Sequence, residues 1–192
     1  VLIFCMKILL LVPGFNFGGA ENHVRDLANS MDEAGNEVFV ISKPGLQNKR
    51  LNSRVRFVSL QMKDILFPFH LVYLCFFIRR NRIDIIHAHK RLAIFLGCTA
   101  GKLMRVPVVV TVHGNPHYDL RTRISEKWAG RVIFVSKRHL DGNGIYKRLG
   151  KRSAFIQNGV RWFENDSERN LNSMTYISRI DSRHAEVIIL II

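Results

Sequence analysis

The sequence predicts an α/β fold: a parallel sheet with helices on both faces. Three observations carry that expectation. Short runs rich in Val, Ile, Leu and Phe alternate with longer helical patterns, the order of repeated βαβ units. Most of these runs are nearly unbroken rather than alternating with polar residues, as strands buried on both faces read. A glycine-bearing loop joins the first run to the first helical pattern, in Pro13-Gly14-Phe15-Asn16-Phe17-Gly18-Gly19-Ala20-Glu21-Asn22-His23-Val24. The first amides of a helix lack internal partners and carry the positive end of its dipole. Such a junction therefore suits phosphate or another anion. Gly18-Gly19 meets neither the G-x-G-x-x-G pattern nor a P-loop with its Lys, and alone it also reads as a tight turn into a helix.

The elements follow in order. Lys7–Val12 is the first strand. A helix is expected from Ala20 to Ala34, where Val24, Leu27, Ala28 and Met31 repeat at i, i+3, i+4, i+7, and Gly35 stands at the C′ position. Glu37–Ser42 and Val55–Leu60 read as the second and third strands. The Phe-rich segment Ile65–Ile78 reads as a helix with Pro68 in its first turn and Arg79, Arg80 and Arg82 at its C-terminal end, where cations suit the dipole. Asp84–His89 is the fourth strand, Leu92–Met104 a helix, Val106–His113 the fifth strand and Arg131–Lys137 the sixth. A weaker helical pattern covers Tyr118–Ala129 and a basic one His139–Leu149. Ser153–Gln157 is a short last strand.

Composition narrows the partners. With 192 residues, 47% of them hydrophobic, the chain can bury a good core, and disorder is not expected. A net charge of +14 points to anionic partners. Nucleic acid is not expected, because no helix-turn-helix, RRM or zinc-finger pattern accompanies the charge. Cys5, Cys75 and Cys98 have no CxxC spacing and sit in apolar contexts, which predicts buried free thiols in a reducing compartment. The apolar start lacks a basic leader and a small-x-small cleavage site and carries Lys7 in its middle. Export is not expected, and Met6 reads as the natural start.

After Asn158-Gly159-Val160 the composition turns polar. Residues 6–160 are expected to form one domain, 161–173 a linker, and 174–192 the truncated beginning of a second.

Several segments together resemble the N-terminal half of a family 4 glycosyltransferase, whose GT-B architecture sets two Rossmann-like domains across a cleft. They are Gly18-Gly19-Ala20-Glu21, Ala34-Gly35-Asn36-Glu37-Val38, Asp84-Ile85-Ile86-His87-Ala88-His89, Val106-Pro107-Val108-Val109-Val110-Thr111-Val112-His113-Gly114, Val132-Ile133-Phe134-Val135-Ser136 and Ile156-Gln157-Asn158-Gly159-Val160. Ser178-Arg179-Ile180-Asp181 looks like the opening of the second domain. The resemblance implies a Rossmann-like acceptor-side domain of an enzyme of the hexosyltransferase type that moves a sugar, with retention, from a nucleotide-diphosphate sugar to a hydroxyl acceptor in cell-surface glycan or polysaccharide synthesis. It implies no cofactor and no metal.

The resemblance also distributes roles. Gly18 and Gly19 would face the donor diphosphate, and His113, at the end of a strand where open α/β sheets place ligands, would be catalytic. His87, His89, Lys90, Arg91 and Asn158 would contact the acceptor. Arg179 would bind donor phosphate, although Ser178 replaces the family's glycine, and His184-Ala185 stands where the family usually has Lys-Gly. His184 can still donate a hydrogen bond. Plainer readings stand beside these. His113 could satisfy backbone at a strand end, and Lys90 and Arg91 could be solvated. His87 and His89, at i, i+2, share a face, but no Cys or acidic residue is spaced to complete a zinc site with them.

Residues 121–152 hold Arg121, Arg123, Lys127, Arg131, Lys137, Arg138, Lys147, Arg148, Lys151 and Arg152 against Glu126 and Asp141, a basic face that could rest on anionic lipid. The expected location is the cytoplasm, peripheral on the inner face of the membrane, with a lipid-linked acceptor as one option. The Phe-rich segment is too short to span a bilayer. It reads as a buried sheet-covering helix, with an interfacial anchor as the alternative. Two other functions remain open: a truncated, non-catalytic domain binding a partner or membrane, and a GT-B nucleotide-sugar epimerase with acidic groups among its histidines.

Overall fold

The computed structural model describes residues 5–114, 119–136 and 149–157, which belong to one compact unit ending at Gly159. Its strands are β1 (Lys7–Gly14), β2 (Glu37–Lys43), β3 (Arg56–Ser59), β4 (Ile85–His89), β5 (Val108–Val112), β6 (Arg131–Phe134) and β7 (Ser153–Phe155). They form a single sheet in the order β3-β2-β1-β4-β5-β6-β7, and every adjacent pair is parallel. Four helices are described: α1 (Gly19–Glu33), α2 (Phe67–Asn81), α3 (Arg91–Met104) and α4 (Leu120–Trp128). The predicted α/β class with a Rossmann-like sheet is the one observed.

The unbroken apolar runs are explained by two cores, one on each side of the sheet. Side chains alternate faces along a strand. In β1, Ile8, Leu10 and Val12 join α1's Val24 and Ala28 in one core. Leu9 and Leu11 join α2's Leu74 and Ile78 and α3's Leu96 and Ala100 in the other. Helix α1 ends as expected, with Gly35 at φ +86, a conformation glycine adopts without steric cost. Strand β5 begins at Val108 rather than Val106, because Pro107 has no N–H to give the ladder; its carbonyl instead accepts from Ile86 N at 3.0 Å. The weak helical pattern before β6 is a helix capped by Asp119, whose carboxylate accepts from Thr122 N at 2.9 Å.

Two expectations need correction, and a third gains a structural side. The Phe-rich helix is not buried all round: His70, Leu74 and Ile78 of α2 pack inward, while Phe69, Val72 and Phe76 are exposed. A helix on a sheet can bury only one side unless something else covers it. The cysteines differ in burial: Cys98 is buried, Cys75 partly so and Cys5 exposed, because residue 5 precedes β1 and has no neighbouring strand. Parts of the basic face also serve the fold. Arg152 donates to the carbonyl of Glu126 at the end of α4 at 3.1 Å, Arg131 donates to Lys151 O at 2.8 Å, and Arg121 pairs with Asp64. Lys137, Arg138, Asp141, Lys147 and Arg148 lie outside the described residues, as do residues 139–148 of the predicted basic helix, the linker 161–173 and the segment 174–192.

The chain builds outward from β1 to β3, then returns to place β4 on the other side of β1. The carboxyl ends of β1 and β4 therefore flank a topological switch point, the place where open α/β sheets bind ligands.

Candidate active site

The loop from β1 to α1 is held at both ends. Phe15 is fully buried and stacks on Phe57 with ring centroids 5.9 Å apart. Its carbonyl accepts from Gln47 N at 3.0 Å, while Gln47 Nε2 donates to Asn22 Oδ1 at 2.6 Å and Gln47 Oε1 accepts from Arg25 at 2.8 Å. Gly45 lies so close that a Cβ there would run into the backbone of Phe15. These contacts aim the amino end of α1 at the switch point.

No side chain caps that end. A Cβ on Gly19 would meet nothing within 4 Å, whereas one on Gly18 would meet the Glu21 carboxylate. Glu21 is buried and forms an ion pair with Lys90. Lys90 sits between β4 and α3 at φ 66, ψ 150, a region that costs a non-glycine residue about 1–3 kcal/mol. Strain of that size marks a residue held in place by its surroundings. Arg91, its neighbour, pairs with Asp119 at 3.3 Å.

Four histidines converge beside this pair. His87 and His89 share one face of β4, as their spacing predicts, with ring centroids 4.3 Å apart. His87 Nε2 lies 2.7 Å from Thr111 Oγ1, and His89 Nδ1 lies 3.0 Å from His113 Nε2. His23 reaches in from α1, its ring 5.2 Å from His113 and 5.7 Å from His89. His89 is fully buried, and its Nε2 has no hydrogen-bond partner.

Burial keeps these rings neutral. It pushes His87 down to about 3, with the His23 and His113 charges adding to it. His113 falls to about 4 through burial first, then His23 and Lys90, against the opposing pull of Glu21. His89 lies well below the usual range for the same first cause, and burial lowers His23 against the pull of Asp26. A neutral imidazole offers one N–H and one lone pair. The cluster can therefore bind hydroxyl groups without bringing a cation to the α1 end, where Lys90 already supplies one. His23, His89 and His113 also bring one nitrogen each within 4.8 Å of one another, close enough to gather around a cation, though that group includes no carboxylate or thiolate. Beside His113 opens a mainly apolar cavity of about 260 Å³, lined by residues that include Arg91, Thr111, Ser125, Glu126 and Phe134.

Residues 17–161 match the model of Glycosyltransferase Family 4. The chain belongs to that family. Among solved structures, a family-like fold appears in a glycosyltransferase from Rickettsia africae ESF-5, 22% identical with a TM-score of 0.68 over 82% of this chain and 44% of that one. MurG of Acinetobacter baumannii is 12% identical with a TM-score of 0.63, over 82% and 47%. Anabaena Alr3699/HepE, in complex with UDP, is 20% identical with a TM-score of 0.61, over 81% and 44%. At these identities the likeness is one of GT-B fold, and the chain spans less than half the length of each. A comparison with curated proteins returned no match.

In this family 4 chain Gly18, Gly19, His87, His89, Lys90 and His113 gather at one sheet edge, while Arg91 is turned to Asp119. Asn158, Arg179 and His184 lie outside the described residues. His23, Glu21 and Thr111 were missed as site residues. For His23 the signal was its place four residues after Gly19, one turn along α1 on the same side. Of the acidic groups an epimerase would set among its histidines, Glu21 is present, and it is engaged by Lys90.

Proposed function

We propose that this chain is the acceptor-side half of a retaining glycosyltransferase. It would move a hexose from a nucleotide-diphosphate sugar to a hydroxyl acceptor in cell-surface glycan synthesis, at the inner face of the membrane. One observation carries the reading: the α1 amino end lies beside His113, whose ring is 5.2 Å from that of His23 on α1 and feels both charges of the Lys90–Glu21 pair. As the bond from the anomeric carbon to the phosphate oxygen breaks, its electron pair passes to the diphosphate. The free amides of Gly19 and its neighbours, with Lys90, would stabilise that charge. His113, neutral at working pH, would hold a sugar hydroxyl while the acceptor oxygen forms its bond and passes its proton to the departing phosphate oxygen. The role needs no resident metal.

The chain spans less than half the length of the GT-B structures it resembles, and turnover is proposed to need a donor half beside it. Phosphate recognition can be tested on the chain itself. Titration with inorganic pyrophosphate should shift the amide resonances of Gly18 to Glu21 and the His113 ring signals, with or without a chelator. Gly19→Val, whose side chain enters open space, should abolish those shifts while leaving the melting temperature unchanged. In a protein joined to its donor half, His113→Ala should lower kcat by about 100-fold or more. Pyrophosphate shifts confined to other surfaces would refute the assignment.

A further inference from the structure

We infer that the outer face of α2 is a docking surface for an anionic phospholipid bilayer. Along this helix from Phe67 to Ile78 there is no acidic or basic side chain apart from His70, which is buried. Buried His70, Leu74 and Ile78 define the inward side. On the opposite side Phe69 is 73% exposed, Val72 71% and Phe76 61%, preceded by Ile65 at 85%. At ~100° per residue Phe69, Val72 and Phe76 fall within one narrow stripe, with Ile65 in the 3₁₀ turn just before the helix, and the stripe runs on into Arg80 one turn later, with Arg79 at its flank.

A water-facing helix side normally carries charged residues, and an apolar patch of this kind rimmed by charge marks an interaction site. The occupant follows from the charge. Lys63 and exposed Arg79, Arg80 and Arg82 bracket the stripe; of the acidic groups near its ends, Asp64 is paired with Arg121 and Asp84 accepts from Lys7 N at 2.7 Å. Helices α2 and α3 both run antiparallel to the strands, so α3's Lys102 and Arg105, exposed at its C-terminal end, add to the cations at that sheet edge. Apolar side chains on a helix lying in the interface, with cations meeting lipid phosphates, are what a peripheral amphipathic contact requires. No described helix is long and apolar enough to cross a membrane.

This inference rests on the proposed peripheral location, not on sugar transfer, and it assigns the contact chiefly to α2 rather than to residues 121–152. The test is co-sedimentation of the whole chain with vesicles of phosphatidylglycerol and phosphatidylcholine, compared with pure phosphatidylcholine. The wild type should bind the anionic vesicles, with weaker binding at high salt. Phe69→Ser/Phe76→Ser should reduce the partition coefficient at least about tenfold with an unchanged melting temperature. Phe76→Trp should report insertion by a blue shift of its emission on adding vesicles. Binding equal in wild type and the double serine variant would overturn the α2 assignment while leaving the peripheral location standing. No binding by the wild type would overturn both. A concentration-dependent dimer that the double variant dissolves would assign the face to a second copy of the chain and overturn the lipid reading.

Discussion

At the scale of single residues the site is a balance of charges at one helix terminus. Glu21 and Lys90 neutralise each other next to the open amides of α1, and a phosphate arriving there competes with the Glu21 carboxylate for the same cation and the same dipole. Substituting the two partners should therefore move anion affinity in opposite directions. Glu21→Gln removes a negative charge from the first turn and should tighten pyrophosphate binding about two- to five-fold. Lys90→Met should weaken it tenfold or more, the scale of a lost hydrogen bond to a charged group. Calorimetric titration of both variants checks the pair; a shift in the same direction would mean that they act only as a structural clamp. Much of this neighbourhood was visible in the sequence: the glycine pair after a buried run, and histidines two apart at a strand end. The Glu21–Lys90 contact was not, because it joins residues 69 positions apart and depends on β4 returning to lie beside β1.

At the scale of elements, the loop proposed to face phosphate is only as well placed as the turn beneath it. The 3₁₀ turn Leu46–Arg50 after β2 supports Phe15 and Asn16, and Gly45 leaves no room for a side chain against the Phe15 backbone. Gly45→Ala should thus cost about 1–3 kcal/mol, the usual range for overpacking, and should weaken pyrophosphate binding as well, because the displaced atoms lead directly into Gly18. Urea denaturation and the same titration give both numbers. A stability change within a few tenths of a kcal/mol would show that the loop yields freely. Strands were legible because burial on both faces leaves an unbroken apolar run, and α1 because a single polar face makes its period plain. The orientation of α2 was not legible: with apolar residues on every side, its pattern names no inward face, and only Leu74 and Ile78 against β1 and β2 decide it.

For the whole molecule, the histidine cluster links stability to pH. His87 and His113 titrate near 3 and 4 in the fold, and His23 and His89 are also lowered; in the unfolded chain each titrates near 6.5. Below that pH the unfolded state binds more protons than the folded one, so stability falls as the solution is acidified. The contribution is intact above about 6.5 and is lost progressively down through the folded values. Between pH 7.5 and 5.2 most carboxylates remain ionised, so the histidines dominate the change. The basic chain offers a competing explanation, because protonation adds to a charge of +14 and general repulsion also destabilises a compact state. Salt separates the two causes. Repulsion among exposed charges is screened over ~10 Å at 0.1 M and less at higher salt, whereas the cost of charging a buried imidazole is desolvation and persists. The urea midpoint should therefore be lower at pH 5.2 than at 7.5 in both 0.1 M and 0.5 M NaCl, and the gap should narrow in His89→Gln. A gap that closes in 0.5 M NaCl would assign the effect to surface repulsion and leave the buried histidines without a role in it.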